Sequence, residues 1–332
     1  MKKLLKAIIL NTGYYLGVFE LLRQSNGRQG RVPILVYHRI LSKPDTGKVR
    51  SAFSFRGLNV SANHFERQIK YLRKKYQLIS LVEYVKRKNA GTSLKNCAVI
   101  TFDDGFKDFI TQAWPILKKY QAPATVFMPA GFLGLVHWQH QLYAILDEGK
   151  TAKAKVIVGR EEVPVDLSND REKYLTIRRF ITAIGGLPSG ERQEAINSLG
   201  TILAVNKKLT PAEIYLSKED LRLLVQEGVA LGAHSVSHEH LESLTDGQLD
   251  EEITKSMGFI KGLTGEQNIA FALPFSTGSE KVLKKLTEQG CLCSFSNESG
   301  LNTGRENILR LKRIAGLDVN LAEFVFDISR KG

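Results

Sequence analysis

The stretch Ala98-Val99-Ile100-Thr101-Phe102-Asp103-Asp104-Gly105 predicts a buried strand that ends in two adjacent carboxylates. A short apolar, β-branched run closed by a glycine is typical of a buried strand, and the carboxyl ends of barrel strands carry the chemistry of α/β barrels. Because successive side chains of an extended chain point in opposite directions, Asp103 and Asp104 suit different roles. Acidic residues before a glycine are also common at simple turns, so this stretch needs a second, independent signal.

That second signal lies further along the chain, in Ala233-His234-Ser235-Val236-Ser237-His238. Two imidazoles four residues apart share a face if the segment turns helically after His234, and neutral imidazole is the commonest metal ligand in proteins. Two imidazoles and one carboxylate leave positions open for water or substrate, as a hydrolytic zinc site requires. Since the strand ends of a barrel meet at one face, the two stretches together predict a metal site.

The rest of the chain alternates predicted strands with helices, which indicates an α/β fold with a parallel sheet and helices outside it. Seven strands are enough to close a small barrel, and we predict them at 33–38, 98–102, 124–128, 229–233, 269–273, 291–295 and 308–314. Residues from about 137 to 215 interrupt this rhythm with helices and a hairpin near 154–165. We interpret this block as a mainly helical insertion in a single catalytic domain at 25–332.

The N-terminal segment, residues 1–24, has a different character. Residues 1–39 contain seven basic residues and one acidic residue, and therefore carry +6 of the net charge of +13. Apolar residues between Leu4 and Leu22 follow a helical stripe, but their unbroken runs are too short to span a bilayer. Three interpretations stay open: a signal peptide, a helix packed on the domain, and a basic amphipathic helix lying on an anionic membrane surface, which the pattern favours.

The amino-acid composition limits which other partners the sequence suggests. A basic chain often binds nucleic acid, but no recognition motif or pattern of interleaved aromatic and basic residues is present, so we predict no nucleic-acid partner. The positive charge is better explained by a membrane surface or an acidic glycan. Cys97, Cys291 and Cys293 are an odd number without metal-ligand spacing and lie in apolar runs, which favours reduced core residues.

Four segments carry a resemblance to a known family. Thr101-Phe102-Asp103-Asp104-Gly105 and the stretch from His234 to His238 resemble the first two motifs of the polysaccharide deacetylases of carbohydrate esterase family 4. The segment Ile34-Leu35-Val36-Tyr37-His38-Arg39-Ile40 is similar to the start of many members, and Ala270-Phe271-Ala272-Leu273-Pro274-Phe275 to their third motif. The resemblance spans about 33–315. It implies a distorted (β/α)7 barrel with a divalent metal, usually Zn2+, that removes N-acetyl groups from amino sugars.

Carried over by position, the resemblance implies that Asp103 is the catalytic base. It implies three metal ligands: Asp104, His234 and His238. The backbone N–H of Phe275, after Pro274, would stabilise the oxyanion. The residue types suit this chemistry, because a metal polarises a carbonyl and acidifies water, a free carboxylate can accept the water's proton, and an N–H can stabilise an oxyanion.

Several positions depart from the family pattern. Ala272 stands where many members have an arginine that orients the base, and we interpret it as a mark of a subtype. The chain has no histidine after His240, so the late histidine that commonly acts as general acid is missing. We favour His38, at the end of the first strand, as its substitute, with a structural histidine as the alternative. Trp138 is a candidate for stacking on a sugar ring. We interpret three further histidines as non-catalytic: His64, His137 and His140.

The sequence thus predicts a metal-dependent hydrolase that removes N-acetyl groups from a polysaccharide or a lipid-linked glycan and works as a peripheral protein at a membrane surface. The side of the membrane is left open. Two alternatives remain: an amide hydrolase acting on a small non-sugar amide, and a glycan-binding protein with a degenerate site. Ala272 and the absent late histidine are the features that keep the second alternative open.

Overall fold

The computed structural model describes residues 2–43, 50–55, 57–205, 209–275 and 278–330. Its strands are β1 (Ile34–Tyr37), β2 (Arg39–Leu41), β3 (Asn59–Ser61), β4 (Gln77–Leu78), β5 (Cys97–Phe102), β6 (Thr125–Met128), β7 (Lys153–Val158), β8 (Glu161–Asp166), β9 (Ala230–Ala233) and β10 (Ile314–Ala315). Its α-helices are α1 (Lys2–Tyr15), α2 (Val18–Arg28), α3 (Ala52–Phe55), α4 (Ala62–Lys75), α5 (Leu81–Asn89), α6 (Trp114–Lys119), α7 (Trp138–Glu148), α8 (Asp170–Ile184), α9 (Ser189–Ile202), α10 (Pro211–Ile214), α11 (Lys218–Gln226), α12 (Asp246–Thr264), α13 (Glu280–Glu288) and α14 (Leu321–Arg330).

The central sheet is parallel, and its strands follow the order β10, β1, β5, β6, β9, with β4 also pairing with β5. All six residues of β5 are buried, as expected for a parallel strand covered on both faces. The predicted α/β fold is confirmed. Beyond β9 the predicted strands at 269–273 and 291–295 pair only through isolated parallel bridges that join Ala233 to Phe271, Phe271 to Ser294, and Phe295 to Leu311. Regular strand pairing therefore forms one part of the barrel wall. The rest of the wall is held by isolated bridges, so the barrel is distorted.

The insertion contains the predicted hairpin and helices. Strands β7 and β8 form an antiparallel pair from Lys153 to Asp166. Helix α8 packs against β8 and α9 against β7, while α7 contacts both of these helices. Strand and helix alternation resumes at α11, where the N-cap Ser217 accepts a hydrogen bond from the Asp220 N–H and the Asp220 carboxylate accepts one from the Ser217 N–H. This reciprocal capping satisfies backbone donors that the first helical turn leaves unpaired.

The N-terminal segment forms two helices rather than the single predicted stripe, because Gly17 adopts a left-handed conformation (φ 77°) between α1 and α2. Helix α2 packs against α14. Its C-terminal end lies beside the residue that precedes β5, since the Asn96 N–H donates to the Gly27 carbonyl over 3.3 Å. The hairpin of α1 and α2 therefore sits at the amino end of β5. None of the described helices is long and apolar enough to cross a bilayer.

Candidate active site with a metal-ligand set

The carboxyl end of β5 directs the two adjacent carboxylates to different places. Asp104 has φ 69° and Gly105 has φ 58°, so the chain turns sharply directly after Asp103. A side chain at Gly105 would put its Cβ 2.1 Å from the Met128 sulfur, and this close approach explains the glycine at that position. Both aspartates are buried, at 4% and 3% exposure. The turn therefore directs the two carboxylates toward different neighbours.

Three buried side chains bring metal-binding atoms together. The Nε2 atoms of His234 and His238 lie 3.4 Å and 3.2 Å from Oδ1 of Asp104, and the ligand atoms of all three residues lie within 4.8 Å of one another. Ligands about 2.1 Å from a tetrahedrally coordinated zinc are about 3.4 Å apart. Oδ1 of Asp104 is buried without a hydrogen-bond partner. The donor set and its spacing therefore fit a divalent cation.

The backbone around His234 fixes the imidazole for this role. Its Nδ1 lies 2.7 Å from the carbonyl oxygen of Ala272, which can only accept, so Nδ1 carries the proton and Nε2 is left to bind the cation. Ala272, at the position where many family members have an arginine, thus contributes its main-chain carbonyl to the site. The neighbouring Asp104 carboxylate is held ionised, because both imidazoles lower its pKa well below the usual value against the opposing effect of burial.

The expected helical turn after His234 is wrong. The segment 234–240 is an irregular loop in which Ser235 and His238 adopt left-handed conformations, with φ 62° and 59°. The Glu252 carboxylate accepts hydrogen bonds from the N–H groups of Val236 and Ser237, which fixes the loop from outside. The two imidazoles therefore converge through these tertiary contacts and not through a helical turn.

Arg313 is a site residue that the sequence analysis missed. Its guanidinium donates two hydrogen bonds to Asp103, of 2.7 Å to Oδ1 and 2.6 Å to Oδ2. Burial alone would raise the pKa of Asp103, but Arg313 and then His234 outweigh it and lower the pKa. Arg313 therefore supplies the contact that an arginine at position 272 would make. A basic residue within the last predicted strand, 308–314, was the available signal in the sequence.

His38 follows β1 and lines the same cleft as Asp103 and Asp104. Burial lowers the pKa of its imidazole below the ordinary value, and the two aspartates oppose this effect only in part. The cleft has a volume of about 270 Å3. Pro274 and Phe275 form part of its wall, and the Phe275 ring packs edge-on against His238 at 4.7 Å. The structure thus brings together every predicted site residue except Trp138.

Trp138 is not among the residues that line this cleft. It begins α7, and its ring lies under the guanidinium of Arg192 at 4.9 Å. The insertion reaches the cleft through Gln139, His140 and Tyr143 instead. Stacking of a sugar on Trp138 therefore has no support from its position.

His140 lies closer to the metal ligands than the sequence indicated. Its Nδ1 is 2.5 Å from the Tyr215 hydroxyl, which also accepts the His137 N–H. The other ring nitrogen of His140, Nε2, faces Oδ2 of Asp104 at 4.0 Å. Burial lowers the pKa of His140 to about 3, so the ring is neutral. The insertion thus borders the carboxylate of the metal-ligand set.

Comparison with known proteins is consistent with this site. The polysaccharide deacetylase family model matches residues 90–154 and 197–293. YxkH of Bacillus subtilis, assigned to the polysaccharide deacetylases, is 21% identical over 290 residues, which cover 86% of this chain and 72% of that protein. The poly-beta-1,6-N-acetyl-D-glucosamine N-deacetylase of Staphylococcus aureus is 28% identical over 169 residues, which cover 43% of this chain and 58% of that protein.

Solved structures show the same fold at low identity. The deacetylase PplD of Streptococcus pyogenes, in complex with acetate, has a TM-score of 0.58 at 19% identity and covers 90% of this chain and 98% of its own. IcaB from Ammonifex degensii has a TM-score of 0.54 at 17% identity, with coverage of 89% and 97%. The predicted resemblance to the polysaccharide deacetylase family is confirmed, and so is the prediction that the chain is an enzyme.

Proposed function

We propose that this enzyme hydrolyses the N-acetyl groups of amino sugars in a glycan, with a divalent cation, zinc by preference, held by Asp104, His234 and His238. The proposal rests on one observation: two neighbouring carboxylates, Asp103 and Asp104, lie in the same cleft with different partners. Asp104 points its free Oδ1 at two imidazoles, while Asp103 is held by Arg313 beside that cluster. Nitrogen and oxygen ligands of this kind are those that zinc prefers.

When bound, the cation would polarise the acetamide carbonyl and acidify a water molecule. Asp103 is ionised at neutral pH, because Arg313 and His234 lower its pKa, and it can accept the proton of the attacking water. The two hydrogen bonds from Arg313 fix the carboxylate in one orientation, which limits the reorganisation that proton transfer requires. Asp103 therefore acts as the base and Arg313 as its positioning residue.

His38 and Phe275 complete the proposed assignment. The carbon–nitrogen bond of the tetrahedral intermediate breaks when its nitrogen receives a proton, and His38 in the same cleft supplies that proton. The products are acetate and a free amine. The N–H of Phe275 stabilises the oxyanion, which is supported by the position of Phe275 in the cleft wall and by the anchoring of its carbonyl to Asn297 Nδ2 at 2.7 Å.

An N-acetylglucosamine polymer is the substrate class that we propose. The staphylococcal relative is named for a poly-beta-1,6-N-acetyl-D-glucosamine substrate, and the cleft is walled by apolar and polar groups that suit a sugar ring: Leu58, Leu273, Gln139 and Asn297. A small non-sugar amide would not need the wall that the insertion adds. A degenerate binding protein would have no need for the paired Asp103 and Arg313.

The test is acetate release from β-1,6-linked and β-1,4-linked N-acetylglucosamine oligomers and from acetamide, with and without a chelator. We expect release from one oligomer series, loss of activity with the chelator, and recovery with zinc. Zinc bound per chain, measured after dialysis, should be close to one. Release from acetamide alone would favour the small-amide alternative, and binding of oligomers without acetate release or zinc would favour a degenerate site.

A further inference from the structure

The exposed apolar side chains of this protein are concentrated in one short segment. Of the fourteen large hydrophobic side chains that are exposed among the described residues, eight lie between positions 5 and 22. They are Leu5, Ile8, Ile9, Tyr15, Leu16, Val18, Leu21 and Leu22. We call this set the hairpin face. Scattered exposed apolar residues are normal, but such a concentration marks an interaction surface.

The opposite side of the same two helices holds them on the domain. Leu10 in α1 is 5% exposed and Phe19 in α2 is 6% exposed, and the Phe19 ring packs against that of Phe326 in α14 at 5.1 Å. The Asn26 side chain donates to the Ser329 carbonyl over 2.7 Å. The hairpin is therefore docked through one side, and the hairpin face is directed away from the contacts that hold it.

The charge around the hairpin face favours an anionic partner. The sequence of α1 contains Lys2, Lys3 and Lys6 and no acidic residue. The acidic residue of α2, Glu20, is already paired with Arg23 at 3.0 Å and Lys75 at 3.1 Å. An apolar helical face accompanied by lysines is the arrangement that binds anionic lipid surfaces. A second copy would bring the same positive charge against itself, which opposes self-association.

The hairpin formed by α1 and α2 and the catalytic cleft lie at opposite ends of β5. Gly27 at the end of α2 contacts Asn96, which precedes β5, whereas Asp103 follows β5. A strand of this length separates its ends by about 20 Å. The contact of Arg23 with the carbonyl of Lys75, just before β4, places α2 at the same amino end of the sheet. A surface that binds the hairpin therefore leaves the cleft accessible.

We propose that the hairpin face binds the surface of an anionic lipid bilayer and holds the protein with its cleft directed away from the lipid. The exposed apolar side chains enter the interfacial layer, and the positive charge of the α1 sequence is attracted to the anionic headgroups. The protein then works on glycan that extends from the membrane rather than on groups within the bilayer. The lipid contact and its orientation do not depend on which glycan is the substrate.

The first test is flotation of the full chain with phosphatidylcholine vesicles that do or do not contain phosphatidylglycerol. We expect binding that requires phosphatidylglycerol and weakens with salt. The double variant Ile9→Gln with Leu16→Gln should bind at least ~10-fold more weakly. The matched control is Val82→Gln with Leu223→Gln, which removes two exposed apolar side chains elsewhere and should bind like the wild type.

The second test reports orientation without any use of activity. An environment-sensitive fluorophore is attached at Tyr15→Cys on the hairpin face or at Leu135→Cys, which is exposed and follows β6 at the cleft end. Vesicles should shift the emission to shorter wavelength only at position 15. A shift at position 135 would overturn the orientation. Equal vesicle binding by the double variant, or a dimer that the double variant converts to a monomer without lipid, would overturn the proposal.

Discussion

The two ends of β5 depart from ordinary folding preferences in opposite ways. At the carboxyl end, charged and polar groups are buried, and Asp103, Asp104 and His234 are all less than 5% exposed. At the amino end, the hairpin face exposes large apolar groups. Folding alone favours neither arrangement, since charges prefer water and large apolar groups prefer the core. The comparison teaches that the proposed ligands account for both departures, a cation and a glycan substrate at one end and a lipid surface at the other.

The same two ends also use ion pairs differently. Arg313 and Asp103 form a buried forked pair whose geometry is fixed, so breaking it leaves an uncompensated charge that costs about 3–5 kcal/mol. Glu20 and its partners at the amino end are partly exposed, and pairs of that kind contribute about 1 kcal/mol or less. Variants at the two ends should therefore have distinct effects on catalysis, on stability and on surface binding.

Asp103→Asn should give the largest effect, and only at the carboxyl end. The amide keeps the shape of the side chain but cannot accept the proton of the attacking water, so kcat should fall by roughly 10²–10⁴-fold. The measurement is acetate release from the oligomer that the wild type prefers, with zinc content and vesicle flotation determined on the same preparation. Both should match the wild type. Residual activity within a few fold of the wild type would remove Asp103 from the role of base.

Arg313→Met should come next, because it removes the counter-charge from a buried carboxylate. Burial then dominates and raises the pKa of Asp103, which Arg313 now lowers. The protonated acid cannot act as the base, so the acid limb of kcat/KM should move to higher pH. The conservative variant Arg313→Lys keeps the charge and should show a smaller movement. An unchanged acid limb in Arg313→Met, with activity merely reduced, would indicate a structural contribution only.

Much of the fold and part of the site could be predicted because local sequence carries the signal. The apolar run of β5, the hairpin of β7 and β8, and the cap at Ser217 each follow from residues close together in the chain. Asp103 and His234 were found for the same reason, since each follows a recognisable strand. Their meeting in space follows from the parallel sheet.

The rest of the site depends on contacts between distant residues. Arg313 lies 210 residues from Asp103, and Tyr215 lies 75 residues from His140, so no local pattern links them. The left-handed backbone of Ser235 and His238 is uncommon for such residues and is fixed by tertiary contacts. Helical spacing therefore suggested two imidazoles that do lie close together, but it predicted the wrong loop geometry.

His38→Ala should reduce kcat by about 10²-fold, because proton donation to the leaving nitrogen is lost, while zinc content stays at the wild-type value. Burial lowers the pKa of His38, and an acid is lost as pH rises through its pKa. The wild-type rate should therefore fall on the basic side of a pKa below the ordinary value of about 6.5, and this fall should be absent in the variant. Loss of zinc together with activity, or unchanged turnover, would exclude His38 as the acid.

Glu20→Gln should give the smallest effect and should be confined to the amino end. Arg23 and Lys75 lower the pKa of Glu20 from 4.5 to about 2 despite the opposing effect of burial. A carboxylate with a lowered pKa in the folded state stabilises the protein above its unfolded pKa, and this contribution disappears as pH falls through the folded pKa. The variant should therefore lose about 1 kcal/mol in the free energy of unfolding at pH 7. The loss should shrink between pH 4.5 and 2.

Urea unfolding at several pH values measures this loss, with Glu194→Gln, which alters an exposed carboxylate of α9, as the control. A loss that is equal at pH 7 and near pH 2 would show that charge pairing does not secure the hairpin, whose docking would then rest on the apolar contact of Phe19 with Phe326.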